Sequence, residues 1–339
     1  MRKVLVAGGA GYIGSHTVVE LIENGYEVVV VDDLSNSSSV SIERVEKITG
    51  SKIRFYKANC NDSDAMREIF SNEQPSDVIM FAGFKAVGES VAEPLKYFTN
   101  NLGSALTVLN VMKEYGCRNI LFSSSATVYG DPAVIPITED CPKGVPTNPY
   151  GRTKSMIEDI LFDIYAAEPD MNIGILRYFN PIGAHESGLI GEDPQGIPNN
   201  LVPYIAQVAV GKREVLHVYG NDYPTIDGTG VRDYIHVVDL AKGHVAALDK
   251  MASDTGCFVV NLGTGHGYSV LEVVHAYEEA CGHKINYQID PRRPGDIATC
   301  YCDPGKAYTY LGWKAEKNIL DMCRDSYNWQ KQNPDGYRS

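Results

Sequence analysis

Lys3-Val4-Leu5-Val6-Ala7-Gly8-Gly9-Ala10-Gly11-Tyr12-Ile13-Gly14 is the stretch on which the fold turns. A short apolar run feeds a glycine turn, and helical spacing begins at Tyr12. That order opens a parallel βαβ unit. Glycines at 8, 11 and 14 allow a tight turn and a close approach of the backbone to a pyrophosphate. The phosphates then face the N–H groups and the positive dipole end of the helix. A lone glycine pattern says little, but this one sits in the strand–turn–helix context that a dinucleotide site requires. Asp32 ends the second strand, about 20 residues on, where a carboxylate accepts from ribose hydroxyls and repels a 2′-phosphate. Asp33-Leu34-Ser35-Asn36 follows with no arginine, so the predicted cofactor is NAD and not NADP. Asp33 itself reads as a solvated loop residue.

Outward from this stretch, strands are predicted at 4–6, 27–32, 53–56, 78–81, 120–123 and 173–178. Helices are predicted at 12–24, 41–49, 62–71, 97–115 and 149–167. Such alternation implies an α/β fold of the Rossmann type, a doubly wound parallel sheet covered on both faces. After Phe179 the texture changes. Residues 180–234 are rich in Gly, Pro, Asn and Asp, with one helical island at 201–210. Long irregular segments of this kind are functional loops more often than linkers. A weaker alternation returns with a strand at 234–236, a helix through 247, a strand at 258–262 and a helix at 269–281. The reading is an NAD-binding domain over 1–180 and a smaller substrate domain over 181–339. A segment near 235–262 returns to the main sheet. A second glycine cluster, Gly263 to Gly267, precedes Ser269 and Glu272, which read as a capping box. Those glycines serve a turn and not a second dinucleotide site.

The 339 residues suffice for a sizeable core, and the formal net charge of -13 disfavours nucleic acid and anionic membranes as partners. The basic start at Arg2 and Lys3 is not followed by the apolar run of a signal peptide, because glycines interrupt it. The eight cysteines show no framework spacing, so free thiols in a reducing cytoplasm are expected. Cys300 and Cys302 lack metal-ligand spacing, and the histidines at 185, 217, 236, 244, 266, 275 and 283 are scattered. No metal is predicted; core or surface roles are expected for these histidines.

Tyr150 and Lys154 are four apart at the start of a helix and share one face. A tyrosine is a poor base at neutral pH, but a nearby ammonium favours the phenolate. Tyr150 can then take a hydroxyl proton while a carbinol hydride leaves. The strand ending Phe122-Ser123-Ser124-Ser125 delivers a serine to the carboxyl edge of the sheet, where open α/β folds bind ligands.

Together these features resemble the extended short-chain dehydrogenase/reductase family. In that family the tyrosine is the general base, the lysine lowers its pKa and holds the nicotinamide ribose, and the serine bonds the reacting oxygen. Ser125 takes that role here. The segments Phe81 to Ser90, Ser123 to Gly130, Arg177 to Pro181, Gly191 to Asn200 and Gly220 to Val238 are similar to the UDP-galactose 4-epimerase family. The loop from Asn221 to Gly230 is the most specific of them. The resemblance implies NAD contacts from Gly8, Gly11, Tyr12, Ile13, Gly14, Asp32, Asn36, Asn59, Cys60, Phe81, Ala82, Gly83, Lys85, Asn100, Ser125, Tyr150, Lys154 and Phe179. It implies a UDP-hexose held by Lys85, Ser125, Tyr150, Asn180, Asn200, Leu201, His217, Val218, Tyr219, Arg232, Arg293, Asp296 and Cys300. The chemistry agrees for several of these. Arg232 and Arg293 are forks suited to a diphosphate, Asp296 can accept from ribose hydroxyls, and Tyr219 can pack near uracil.

Two positions depart from the family pattern. Asn59 stands where many members carry an aspartate facing the adenine amino group; its amide oxygen can still accept. Cys300 stands where some carry tyrosine beside the sugar 2-position, which extends the implied substrates to UDP-GlcNAc and UDP-GalNAc. The resemblance also implies a homodimer, built through the helices at 97–115 and 149–167. Two other readings compete. A 4,6-dehydratase or decarboxylase shares the NAD site, but such enzymes carry ionisable residues where this chain has Ala126 and Thr127. A non-catalytic NAD-binding protein shares the fold, but such proteins often lack the Tyr–Lys pair.

Overall fold

The computed structural model describes residues 2–293 and 295–338. In chain order the first elements are β1 (Lys3–Ala7), α1 (Tyr12–Glu23), β2 (Glu27–Asp32), α2 (Ser39–Thr49), β3 (Arg54–Lys57), α3 (Ser63–Glu73) and β4 (Asp77–Met80). There follow α4 (Val87–Ala92), α5 (Pro94–Tyr115), β5 (Asn119–Ser125), α6 (Pro149–Ala167) and β6 (Asn172–Tyr178). Beyond these lie β7 (Asn180–Ile182), α7 (Leu201–Ala209), β8 (Leu216–Tyr219), β9 (Val231–His236), α8 (Val237–Ser253) and β10 (Cys257–Leu262). The last elements are β11 (Gly267–Ser269), α9 (Val270–Cys281), β12 (Tyr287–Asp290), β13 (Thr299–Cys300) and α10 (Ile319–Gln332).

Seven strands form one sheet in the order β10-β6-β5-β4-β1-β2-β3. The pairs from β3 through β6 are all parallel. The order reverses beside β1, so the loops leaving β1 and β4 splay apart at a topological switch point, the crevice where open α/β sheets take ligands. β1, β2 and β4 are apolar on both faces, as a sheet covered on both sides demands. Leu5, Val78, Phe122 and Ile175 pack against Phe70, Val108, Met112 and Leu161 of the flanking helices α3, α5 and α6.

The chain divides into two compact units. The first comprises residues up to 130, 142–178 and 241–260; the second comprises 131–141, 179–240 and 261 onwards. The segment 131–141, which lies in the first half of the sequence, thus clusters with the second unit. Main-chain hydrogen bonds between Ile137 and both Tyr301 and Asp303 hold it there.

Within the second unit β9 lies between β11 and β13 and also pairs with β7, while β8 and β12 form a two-stranded parallel ladder. Its core gathers Ile205, Val218, Val273, Tyr277, Met322 and Cys323. The glycine cluster at 263–267 is the turn into α9. Ser269 and Glu272 make the capping box, and the buried Asp233 carboxylate accepts from Thr264 N at 2.8 Å and Gly265 N at 3.0 Å. The sequence reading does not anticipate α4, β7, β8, β11, β12, β13 or α10. The strands among these have four residues or fewer, too short for a readable alternation. Helix α10 carries its own start signal, a capping box between Asn318 and Asp321.

Candidate functional site

The first unit builds a glycine cradle and brings Ser125, Tyr150 and Lys154 together. Gly8 has φ +82°, and a Cβ there would lie 2.7 Å from Ala82 N, in the loop after β4. A Cβ on Gly14 would lie 2.3 Å from Gly8 O, so only glycine lets α1 start this close to the turn. Gly11 is the N-cap of α1 and supplies no side-chain cap. The cradle therefore offers main-chain donors and a helix dipole with no side chain in the way, which fits a pyrophosphate. Asp32 is buried. Its Oδ2 accepts from Ala10 N at 3.0 Å, and its Oδ1 accepts from Leu34 N and Ser37 Oγ. Burial raises its pKa, and these hydrogen bonds oppose the rise.

The surrounding loops are tied to one another. Asn59 Nδ2 donates to Asp33 Oδ2 at 2.9 Å, and Asn59 Oδ1 accepts from both the main chain and the side chain of Asn61. Asp33 is thus a loop tie and not merely solvated. The Asn59 oxygen, expected to be available, already accepts twice. Asn61 reaches Asn100 as well. Gly83 leaves room for Asn101, whose Oδ1 accepts from Phe84 N and from Asn100 Nδ2. Lys85 Nζ sits 5.7 Å from the Tyr12 ring centroid, and Phe81 packs against His244. Ile13 lies in the first turn of α1, and Asn36 in the loop between β2 and α2. Cys60 is buried in the core, where its thiol pKa is pushed up to about 12; only its main chain is available to a ligand.

At the carboxyl end of β5, strand alternation sends Ser124 to one side and Ser123 and Ser125 to the other. Ser124 Oγ donates to the buried Glu158 at 2.5 Å, which removes it from contention as the reacting-oxygen donor. Ser125 Oγ accepts from Thr127 N at 3.2 Å and Thr127 Oγ1 at 3.0 Å. With both acceptor positions taken, its proton is available to donate. Ser125 is hydrogen-bonded to Tyr150, which favours the phenolate; burial acts more strongly and raises the Tyr150 pKa. Asn148 caps α6 at Gly151 N, presenting Tyr150 in the first turn. Lys154 Nζ donates to Ser123 O at 2.6 Å and lies 6.0 Å from the Tyr150 ring centroid. Burial lowers its pKa to about 8, against an opposing pull from Glu158.

One turn further along α6, the Glu158 carboxylate takes a fork from Arg177 of β6, at 3.0 Å from Nε and 2.7 Å from Nη2. The pair is dry: the side chains are 0% and 4% exposed. Sequence reasoning missed it and missed Thr127. The i+4 spacing from Lys154 to Glu158 was visible, but the partner across the sheet was not.

The second unit gathers the remaining residues. Arg293 Nε donates to Asp296 at 2.9 Å, and its guanidinium lies 4.9 Å from the centroid of the half-exposed Tyr219 ring. His217 stacks beside Tyr219 and bonds Asp290 at 2.7 Å. Cys300 lies opposite Arg232 in the register of β13 on β9. Burial pushes its thiol pKa up to about 11, with Arg232 pulling it down. Asn200 is the N-cap of α7, which Leu201 begins, and its amide donates to Glu192. Asn180 opens β7, exposed, directly after the buried Phe179. Val218 is buried in the core and can offer only its main chain. Among the described residues no group of three or more His, Cys, Asp or Glu could hold a metal ion. No helix there is long and apolar enough to cross a membrane.

A family profile described as GDP-mannose 4,6 dehydratase matches residues 5–326. The UDP-glucose 4-epimerase of Bacillus subtilis (strain 168) is 59% identical over 336 residues, covering 99% of each chain. The solved UDP-glucose 4-epimerase of Bifidobacterium longum, in complex with NAD+ and UDP, superimposes with a TM-score of 0.96. It shares 59% identity and covers 98% of this chain and 99% of that one. The enzyme of Stenotrophomonas maltophila, with NAD and a formylated UDP-arabinopyranose, has the same TM-score at 47% identity, covering 98% of this chain and 99% of its own. With a glycine cradle, a Tyr–Lys–Ser group and full-length similarity of this order, the chain belongs to the UDP-glucose 4-epimerase family.

Proposed function

We propose that this protein interconverts UDP-galactose and UDP-glucose by inverting C4 through a transient 4-keto sugar, with NAD as resident cofactor. The glycine turn from Gly8 to Gly14, Asp32, the loop from Phe81 to Lys85, Asn100 and Lys154 hold the cofactor. NAD held there would supply a reversible hydride acceptor for C4. Tyr150 takes the O4 proton and later gives it back. Ser125, its lone pairs filled by Thr127, turns its one proton from Tyr150 to the reacting oxygen when substrate is bound. The Lys154 ammonium favours the Tyr150 phenolate and reaches the ribose. Arg232, Arg293, Asp296 and Tyr219 grip UDP, so binding energy comes from a part of the substrate that does not react. The hexose is then free to turn over between the two hydride transfers.

The observation that carries this reading is the Tyr150, Lys154 and Ser125 group, with no ionisable side chain at 126 or 127. A 4,6-dehydratase must eliminate water and needs an acid and a base there. Here Ala126 has none to offer, and the Thr127 hydroxyl donates to Ser125. The test is proton NMR of UDP-galactose incubated with the purified protein and no added cofactor. Appearance of UDP-glucose without ketone or net NADH supports epimerisation; no change even after adding NAD refutes it.

Cys300 removes most of the bulk of an aromatic ring at the pocket wall, so UDP-GlcNAc and UDP-GalNAc are further substrates. Turnover of the acetylated pair by wild type but not by Cys300→Tyr supports this, and equal exclusion by both refutes it. The protein is a homodimer of the cytoplasm. Leu95 and Leu106 of α5, and Met156 and Phe162 of α6, remain exposed in the single chain, which favours covering by a second copy. A monomeric mass by light scattering refutes the dimer.

A further inference from the structure

The loop between β8 and β9 is closed on itself and tied down at its far end. Tyr223 N donates to Gly228 O at 2.9 Å. Asp227 accepts from Thr229 N at 2.9 Å and bonds the Ser269 hydroxyl at the N-cap of α9. Its near end meets the segment that leaves β12. There the register pairs Tyr219 with Asp290, and Gly220 N donates to Asp290 O at 2.8 Å.

Two consecutive arginines follow, and they do different things. Arg293 lies over Tyr219 and bonds Asp296. Arg292 turns to the loop. Its Nε donates to Asp222 Oδ1 at 2.6 Å, its Nη2 donates to Asp222 O at 2.5 Å, and its guanidinium lies 3.9 Å from the centroid of the Tyr223 ring. Gly220 has φ +82°, and a Cβ there would meet the Tyr223 ring at 2.7 Å and Arg292 Cγ at 2.8 Å. The Tyr223 hydroxyl is buried without a hydrogen-bond partner. The ring face, not the hydroxyl, is therefore what this contact uses. A guanidinium that stacks on one face and forks to one residue has little freedom left.

We propose that Arg292 is a positioning residue for the uridine diphosphate grip, clipping the 220–228 loop to the end of β12 and thereby fixing Arg293 over Tyr219. This rests on the reading that Arg293 holds the diphosphate of UDP. Arg292 directs Nε and Nη2 to Asp222 and its face to Tyr223, so it acts on the ligand through its neighbour. Without the clip, the segment carrying Arg293 and Asp296 must be ordered by the ligand itself, and that ordering weakens binding.

The test is calorimetric titration of UDP into the holoenzyme as purified, with steady-state kinetics on UDP-galactose. For Arg292→Met and Tyr223→Leu, UDP binding weakens about tenfold, the loss expected of a stacked and forked guanidinium. KM rises by the same factor, and kcat stays within about twofold, the signature of lost uniform binding. Tyr223→Phe keeps the ring and restores wild-type affinity. Arg292→Lys keeps the charge without the fork and does not. Arg293→Met tests the underlying reading: wild-type UDP affinity in that variant overturns the role given to Arg293. If Arg293→Met loses affinity while Arg292→Met and Tyr223→Leu bind UDP as tightly as wild type, the clip is overturned and the reading of Arg293 stands. Should Arg292→Met fail to fold, Tyr223→Leu against Tyr223→Phe decides the matter alone.

Discussion

The proposed reacting group of the first unit and the proposed nucleotide-gripping residues of the second both rely on charged side chains, but under opposite conditions of solvent. Lys154, Glu158 and Arg177 are buried. Arg293 is 54% exposed, its partner Asp296 27%, and Tyr219 is half-exposed. In the first unit low dielectric magnifies every charge, so burial moves pKa values and a missing partner is costly. In the second, water screens each pair, and the same ion-pair chemistry contributes little to stability. The difference teaches what each task requires. Proton transfer needs groups held at fixed protonation and geometry. Reversible capture of a charged nucleotide needs forks that a ligand can reach and leave.

The predictions probe that contrast. The largest effect belongs to Tyr150→Phe, which removes the base. Turnover falls by roughly 10² to 10⁴, while the bound cofactor, read by absorbance of the denatured supernatant, is retained. Near-normal turnover sinks the assignment.

Next comes the dry pair. Glu158→Ala takes the carboxylate away from the buried Arg177 guanidinium, leaving it against the Tyr129 ring, and costs about 3–5 kcal/mol of stability. Denaturant melts measure this, and a loss below about 1 kcal/mol would place the pair in the class of screened surface bridges.

The pH profile sharpens the electrostatic half of the comparison. The Lys154 pKa is lowered to about 8 by burial and held up by Glu158. A lowered amine loses its proton at lower pH, so the ammonium that supports Tyr150 is present below about 8 and lost above it. Turnover is expected to decline as pH rises through that value. In Glu158→Gln the opposing pull is gone and the decline moves to lower pH. An unmoved limb shows that Glu158 does not set the lysine's charge.

The smallest effect is Asp296→Ala. Its bridge to Arg293 is solvent-screened, so stability changes by about 0–1 kcal/mol. UDP affinity falls, because a ribose acceptor and a partner of Arg293 are lost together. If Asp296→Ala destabilises the protein as much as Glu158→Ala, the contrast between the two units fails.

Legibility in the sequence follows the same division. The cradle could be read because Gly8, Gly11 and Gly14 act through spacing within a single strand–turn–helix. Tyr150 and Lys154 could be read because i and i+4 share a helix face. Asp33 lies in a loop as read, but its tie to Asn59 could not be seen because it crosses 26 residues between neighbouring strand ends. Ser124 and Ser125 could be told apart only once Glu158 was seen beneath one and Thr127 around the other.

The amino-acid sequence by itself determined the sheet, the cradle and the reacting pair, since local periodicity and glycine sterics act over a few residues. Tertiary structure alone decided the pairings: Arg177 with Glu158 across β6 and α6, and Arg292 with Asp222 over 70 positions of chain. Local spacing can fix which way a side chain faces. Only the register of packed strands and helices fixes what it meets there, because side-chain partners are set by distances in space that no sequence interval encodes.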